Sequence, residues 1–316
     1  MDSRTVKGYV LASVAAATYG MNPLFALPLF AGGMNAESVL LLRYLLAIPL
    51  LGVMIAARSR SFRITLRQGV RLAVLGLVMA FSSLGLFLSY NYMDAGIASS
   101  LLFVYPIMVA VIMACFYGER LSPVTIVCIA LALGGIALLY KSEGNATLSL
   151  TGTILVMLSS LSYAIYIVAV NRNGLNSIPT LTLTFYVLLF GVLLFVGRIA
   201  CGSELTLPPA DRWWLWSCVV ALAVFPTAIS FLCTTAAIQY IGSTPTAILG
   251  ALEPVTAVFF GVLVFGETLT LRIIIGLVMI IVAVTFVVAG PGLPARLTRI
   301  RRLFPRLRPP RRSRRK

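Results

Sequence analysis

The chain contains no histidine. That removes the commonest metal ligand and the side chain that ordinarily shuttles protons near neutral pH. Cysteine is sparse: Cys115, Cys128, Cys201, Cys218 and Cys233 are all there are, and no two form a CxxC pair. All but Cys201 fall inside apolar runs, so they read as buried free thiols, with neither a disulfide framework nor a metal site expected. Charged residues make up only 11% of the chain, against roughly a quarter in a soluble globule. No Walker A loop, dinucleotide fingerprint or Ser/His/Asp set occurs, so nothing points to ATP drive. Without histidine or clustered acids the chain does not read as an enzyme, and no cofactor is expected.

What is present is apolar. Hydrophobic residues make up 60% of the 316 and mean hydropathy is +1.01. They come in blocks of about 20, the length that spans a bilayer as helix. Ten blocks are expected to span, near 7–30, 36–57, 69–92, 96–117, 123–140, 150–170, 179–199, 213–238, 244–265 and 271–289. Backbone in lipid must satisfy its own hydrogen bonds, which helices do. The fold class is therefore all-α integral membrane, with no room for a soluble catalytic domain. The first block is too long for a cleaved signal peptide and reads as the first span.

The chain is one unit written twice. Tyr92–Leu139 lies over Tyr240–Val287 without a gap, with Leu101 on Leu249, Pro106 on Pro254, and Gly118-Glu119-x-Leu121 on Gly266-Glu267-x-Leu269. Duplication within a run of hydrophobic helices points to a transporter of two related halves. Each half has five spans, so the second enters the membrane from the opposite side and the repeat is inverted. The expected division is 1–145 for spans 1–5, 146–290 for spans 6–10, and 291–316 as a basic, disordered tail.

The formal charge of +16 is unevenly spread, with eleven of the 25 basic residues after Ala295 and no acid among them. This tail reads as lying against anionic lipid head groups; nucleic acid is not expected as a partner. With ten spans, twenty Lys and Arg fall on the side of the termini and four (Lys141, Arg198, Arg212, Arg272) on the other. That bias places both termini in the cytoplasm. Trp213, Trp214 and Trp216 open span 8 as an interfacial aromatic anchor.

Several short motifs, in this order, resemble the drug/metabolite transporter superfamily, in its ten-helix branch with two EamA-type repeats. Tyr19-Gly20-Met21-Asn22-Pro23 is similar to that family's aromatic-Gly motif, and Leu42-Arg43-Tyr44 to its early arginine followed by an aromatic. Asp94-Ala95-Gly96-Ile97-Ala98-Ser99 opens span 4 in the family manner. Tyr105-Pro106 and Glu253-Pro254 stand mid-helix, followed by the two Gly-Glu-x-Leu turns. The resemblance runs from about Gly8 to Ala289. It implies a secondary carrier of small metabolites in a bacterial inner membrane, closest in character to the amino-acid exporters, with a cavity lined by spans 1, 3, 4, 6, 8 and 9. Relatives often carry Trp in that cavity; here span 1 has Tyr19.

Two charges lie deep inside predicted spans, Arg43 and Glu253, roughly 10 Å and 18 Å from the non-cytoplasmic face at 1.5 Å per residue. Ionisable groups at such depth face a cavity or a partner. Their repeat counterparts, Phe185 and Tyr105, are neutral. Arg43 can hold a substrate carboxylate and Glu253 an ammonium group or a coupling proton; alternatively the two pair with each other, or Arg43 with backbone carbonyls, and fix helix packing. Tyr19, Asn22, Ser82, Tyr90, Tyr105, Tyr163, Tyr166 and Ser230 complete the candidate lining. The competing reading is polar glue between helices. Pro106 and Pro254 free upstream carbonyls and mark either a hinge in spans 4 and 9 or static kinks. Glu119 and Glu267 are expected in turns, away from the cavity.

The expected function is an alternating-access exporter of amino acids or related metabolites, working as a monomer. Other cargoes are a cationic drug, which would want Glu253 and tyrosine faces without Arg43, or a nucleotide sugar or sugar phosphate, which would want several cations where only Arg43 qualifies. A lipid scramblase is the non-carrier alternative.

Overall fold

The computed structural model describes residues 3–58, 62–118, 123–140, 149–172, 178–241, 249–250 and 252–289. Glu119 and the 291–316 tail lie outside them. Among the described residues there is no strand. The helices are α1 (Ser3–Gly20), α2 (Asn22–Ala31), α3 (Ala36–Ala57), α4 (Leu66–Ser89), α5 (Ala95–Leu102), α6 (Tyr105–Tyr117), α7 (Pro123–Tyr140), α8 (Leu150–Arg172), α9 (Thr180–Ala200), α10 (Trp213–Leu222), α11 (Ser230–Ile241), α12 (Leu252–Phe265) and α13 (Leu271–Ala289). A π-helical segment, Ala223–Ile229, joins α10 to α11.

Among the described residues seven segments are long and apolar enough to cross a membrane, and Ile126–Gly135, Leu252–Phe265 and Leu271–Ala283 are shorter apolar helices. Among the described residues, expected spans 1 and 4 are broken. Span 1 interrupts at Met21, ahead of Pro23, and span 4 interrupts at Phe103 and Val104, with Pro106 at the second position of α6. Both prolines sit where a helix start tolerates a missing N–H, so the break falls just upstream of each. Local chemistry sets other ends. Asn35 caps α3 through the Ser38 amide, and Thr65 with Gln68 forms a capping box on α4. The Thr270 hydroxyl accepts from the Ile273 amide and starts α13. The two Gly-Glu turns share one device: Gly118 and Gly266 have φ of +69° and +67°, a left-handed region in which glycine costs least.

The pairing of helices repeats the duplication. α1 packs on α11 as α4 packs on α8; α3 packs on α9, α5 on α12, and α7 on α13. Exchanging the halves swaps the first two pairings and returns each of the other three span pairings (2 with 7, 4 with 9, 5 with 10) to itself, so the halves interlock. Lipid supplies no hydrophobic drive between helices, so close approach by small residues does much of the work. A side-chain carbon on Gly135 of α7 would stand 2.7 Å from the Gly276 carbonyl of α13. Ser82 of α4 donates to the Ser159 carbonyl of α8 at 2.8 Å, and its repeat mate Ser230 donates to the Ala15 carbonyl of α1 at 3.0 Å.

A polar strap joins the start of α3 to the chain after α9. Asn35 and Ser38 exchange hydrogen bonds with Glu204 and Thr206, and Arg198 pairs with Glu37 at 2.8 Å.

Candidate functional site

The interior site grows from Arg43, 5% exposed in mid α3. Its Nε donates to the Thr227 hydroxyl at 2.7 Å and its Nη1 to the Asn22 carbonyl oxygen at 2.8 Å. Both acceptors are oriented by second bonds. Thr227 donates its own proton to the Leu222 carbonyl at 3.0 Å, a contact the wider π turn allows. Asn22 donates from Nδ2 to the Tyr19 carbonyl at 2.9 Å, satisfying a carbonyl at the break of span 1. The guanidinium also lies 5.7 Å from the Phe87 ring centre. Among the described residues these are the hydrogen bonds of the guanidinium, made through Nε and Nη1. The charge is thus held between α3, α2, the π-helical segment and the Phe87 ring of α4.

Glu253 stands in the first turn of α12, half-buried, with its amide bonded to the Gly250 carbonyl. No ion pair joins it to Arg43 among the described residues. The carboxylate is within electrostatic reach of Tyr19, Tyr90, Tyr105 and Tyr163, and Arg43 within reach of Tyr19, Tyr44 and Tyr90. Tyr19 and Tyr90 therefore feel both charges. Two separate ionisable groups with aromatic rings in reach of both offer complementary contacts to a small zwitterion.

The remaining candidates divide in two. Tyr105 and Tyr163 meet edge to face at 4.7 Å, and Tyr163 stacks with Tyr166 at 6.2 Å. Tyr90 packs on Phe87 at 5.5 Å and its hydroxyl lies 3.5 Å from Ser99. These rings join Tyr19, Asn22, Arg43 and Glu253 in one interior region. Ser82 and Ser230 are instead occupied in the paired helix contacts. Pro106 and Pro254 each lie at the start of a helix, α6 and α12. Sequence reasoning misses Thr227, Phe87 and Ser159. Pro226 is the available signal for the first, because a proline inside a span disturbs hydrogen bonding next to it.

The pattern of the EamA-like transporter family matches residues 6–141 and again 150–289. An uncharacterized transporter of Archaeoglobus fulgidus is 31% identical over 60% of this chain and 66% of its own. Bacillus subtilis YxxF, also an uncharacterized transporter, is 24% identical over 65% of each chain. The chain thus spans a little under two thirds of these relatives. The threonine/homoserine exporter RhtA of Salmonella typhimurium (strain LT2) is 27% identical over 73% of this chain and 76% of its own. A crystal structure with 18% identity superimposes with a TM-score of 0.66, covering 93% of this chain and 99% of that one; it shows a shared fold.

Proposed function

Because the chain belongs to the EamA-like transporter family, we propose that this multi-pass membrane transporter exports amino acids or related small metabolites by alternating access. One observation carries the cargo: Arg43 and Glu253 share an interior lined by Tyr19 and Tyr90 without neutralising each other. An α-carboxylate meets Arg43, and the ammonium group meets Glu253 and the tyrosine faces. Transporters commonly bind near the midplane where helices are interrupted, and α1/α2 and α5/α6 are interrupted here. Similarity to RhtA supports the same class.

In this reading the chain has ten spans in two inverted halves, 1–145 and 146–290. Both termini face the cytoplasm of a bacterium, and the 291–316 tail rests on anionic lipid. The protein works as a monomer. Pro106 and Pro254 mark the hinges of spans 4 and 9. The Tyr105, Tyr163 and Tyr166 cluster favours one second reading, a cationic drug as cargo.

The test is uptake into proteoliposomes of purified protein, with and without a pH gradient, of threonine, methionine, phenylalanine, a sugar phosphate and a quaternary ammonium compound. Saturable amino-acid uptake is the expected result. Uptake of the cation or the phosphate alone overturns the zwitterion reading.

A further inference from the structure

The acid of the second Gly-Glu turn reaches across to the other half. Glu267, between α12 and α13, accepts from the Ala95 amide at 3.0 Å and the Gly96 amide at 3.3 Å, the first two amides of α5. Its own amide is tied to the Gly261 carbonyl at 3.1 Å. Two glycines form the slot. A side-chain carbon on Gly96 would stand 2.8 Å from Glu267 Oε2, and one on Gly261 would collide with the same oxygen.

The helix so capped already has an acid at its N-cap. Asp94 makes no side-chain capping bond there, although aspartate is among the preferred residues for that role. The start of α5 therefore has two carboxylates available, its own Asp94 and Glu267 from the other half, and Glu267 holds the amides. We propose that Glu267 is a proton-controlled latch between the halves: protonated, it stays seated between Gly96 and Gly261; ionised, it leaves the slot and Asp94 takes over the helix end.

Like charges at one site disfavour double ionisation, and burial disfavours the charged form of either acid. Burial and then the charge of Asp94 push Glu267 up to about 7, while the Gly96 and Ala95 amides pull it down. Burial also raises Asp94. Gly261 and Val258 face the slot from α12 and do not titrate; Tyr90 at the end of α4 is within electrostatic reach. Among the described residues no cation contributes to the electrostatics of Glu267.

The seated carboxyl binds a proton more tightly than a free one, so acid favours the seated state. Release comes as pH rises through about 7. α5 and α12 belong to spans of opposite halves, so any rocking of the halves acts on this contact. The latch is independent of the cargo and rests on the transport reading only for its purpose.

Hydrogen–deuterium exchange of the full chain in detergent tests it, read on peptides covering 92–98 and 264–270. Rates are corrected for intrinsic exchange, with a peptide from α9 as control. Protection in the wild type should fall at least about tenfold between pH 5.5 and 8.5, as a tenfold difference in proton affinity between the seated and released carboxyl supplies. Glu267→Gln, permanently neutral, should stay protected at both pH values, and Asp94→Asn should flatten the dependence. Constant protection in the wild type, or protection that rises with pH, overturns the latch without reference to any variant. Glu267→Ala protected like the wild type overturns the claim that this carboxyl holds the contact. Neither result bears on which cargo proteoliposomes take up.

Discussion

Arg43 and Thr227 are 184 positions apart, yet the Nε of one donates to the hydroxyl of the other at 2.7 Å in the buried interior. The bond joins α3 to the π turn of the other half. It fixes the guanidinium within electrostatic reach of Tyr19 and Tyr90.

Thr227→Val keeps the shape and removes the acceptor. A buried charged donor left without its partner costs about 2 kcal/mol. Thermal unfolding in detergent should show that loss for Thr227→Val and close to none for Thr227→Ser. Equal stability of the two variants would show that the bond contributes nothing.

Glu253→Gln retains volume and removes the charge. On the zwitterion reading it lowers amino-acid uptake by about ten- to a hundredfold, because one charge-assisted contact is worth about 1.5–3 kcal/mol. Glu119→Gln should fall much less. Initial uptake rates in proteoliposomes decide this, and parity between Glu253→Gln and the parent would remove Glu253 from the site.

Gly135→Val forces α7 away from α13, because the added carbon would stand 2.7 Å from the Gly276 carbonyl. Overpacking of this kind costs about 1–3 kcal/mol. The expected readout is a lower unfolding temperature in detergent. An unchanged midpoint would mean that the α7–α13 contact adjusts without cost.

Stability should also depend on pH through Glu267. Its carboxyl is raised from an ordinary 4.5 to about 7 in the fold. The folded state therefore binds the proton more strongly than the unfolded chain. The stabilisation is complete below pH 4.5 and disappears as pH rises through about 7. The unfolding temperature of the wild type, relative to Glu267→Gln, should decline across that window. A flat difference, or one that rises with pH, would show that Glu267 is not perturbed.

Much of this arrangement is legible in the residues themselves. Block lengths of apolar residues locate the helices, and the gapless match of Tyr92–Leu139 with Tyr240–Val287 anticipates two turns with the same left-handed glycine. Arg43 and Glu253 stand out because lipid makes ionisable residues costly. The inward face of each helix is harder to read. Lipid-facing and protein-facing sides are both apolar, so periodicity separates them poorly. Ser82 and Ser230 show the result: depth suggests cavity lining, but their hydroxyls hold neighbouring helices together. Thr227 is invisible for a related reason. Its role depends on a π turn and on an arginine from the other half, and neither is a local property of span 8.

The interlocking of the halves has a consequence for how the protein is made. Arg43 enters the membrane 184 residues before Thr227 exists. At typical synthesis rates of 5–20 residues per second that is a wait of about 10–40 s. During that time the arginine has Asn22 beside it but lacks Thr227, and the hydroxyl of Ser82 waits for Ser159, 77 residues on. The newborn first half is an orphan that must be sheltered, by the insertion machinery or by snorkelling toward the head groups, until the ribosome has delivered its counterpart.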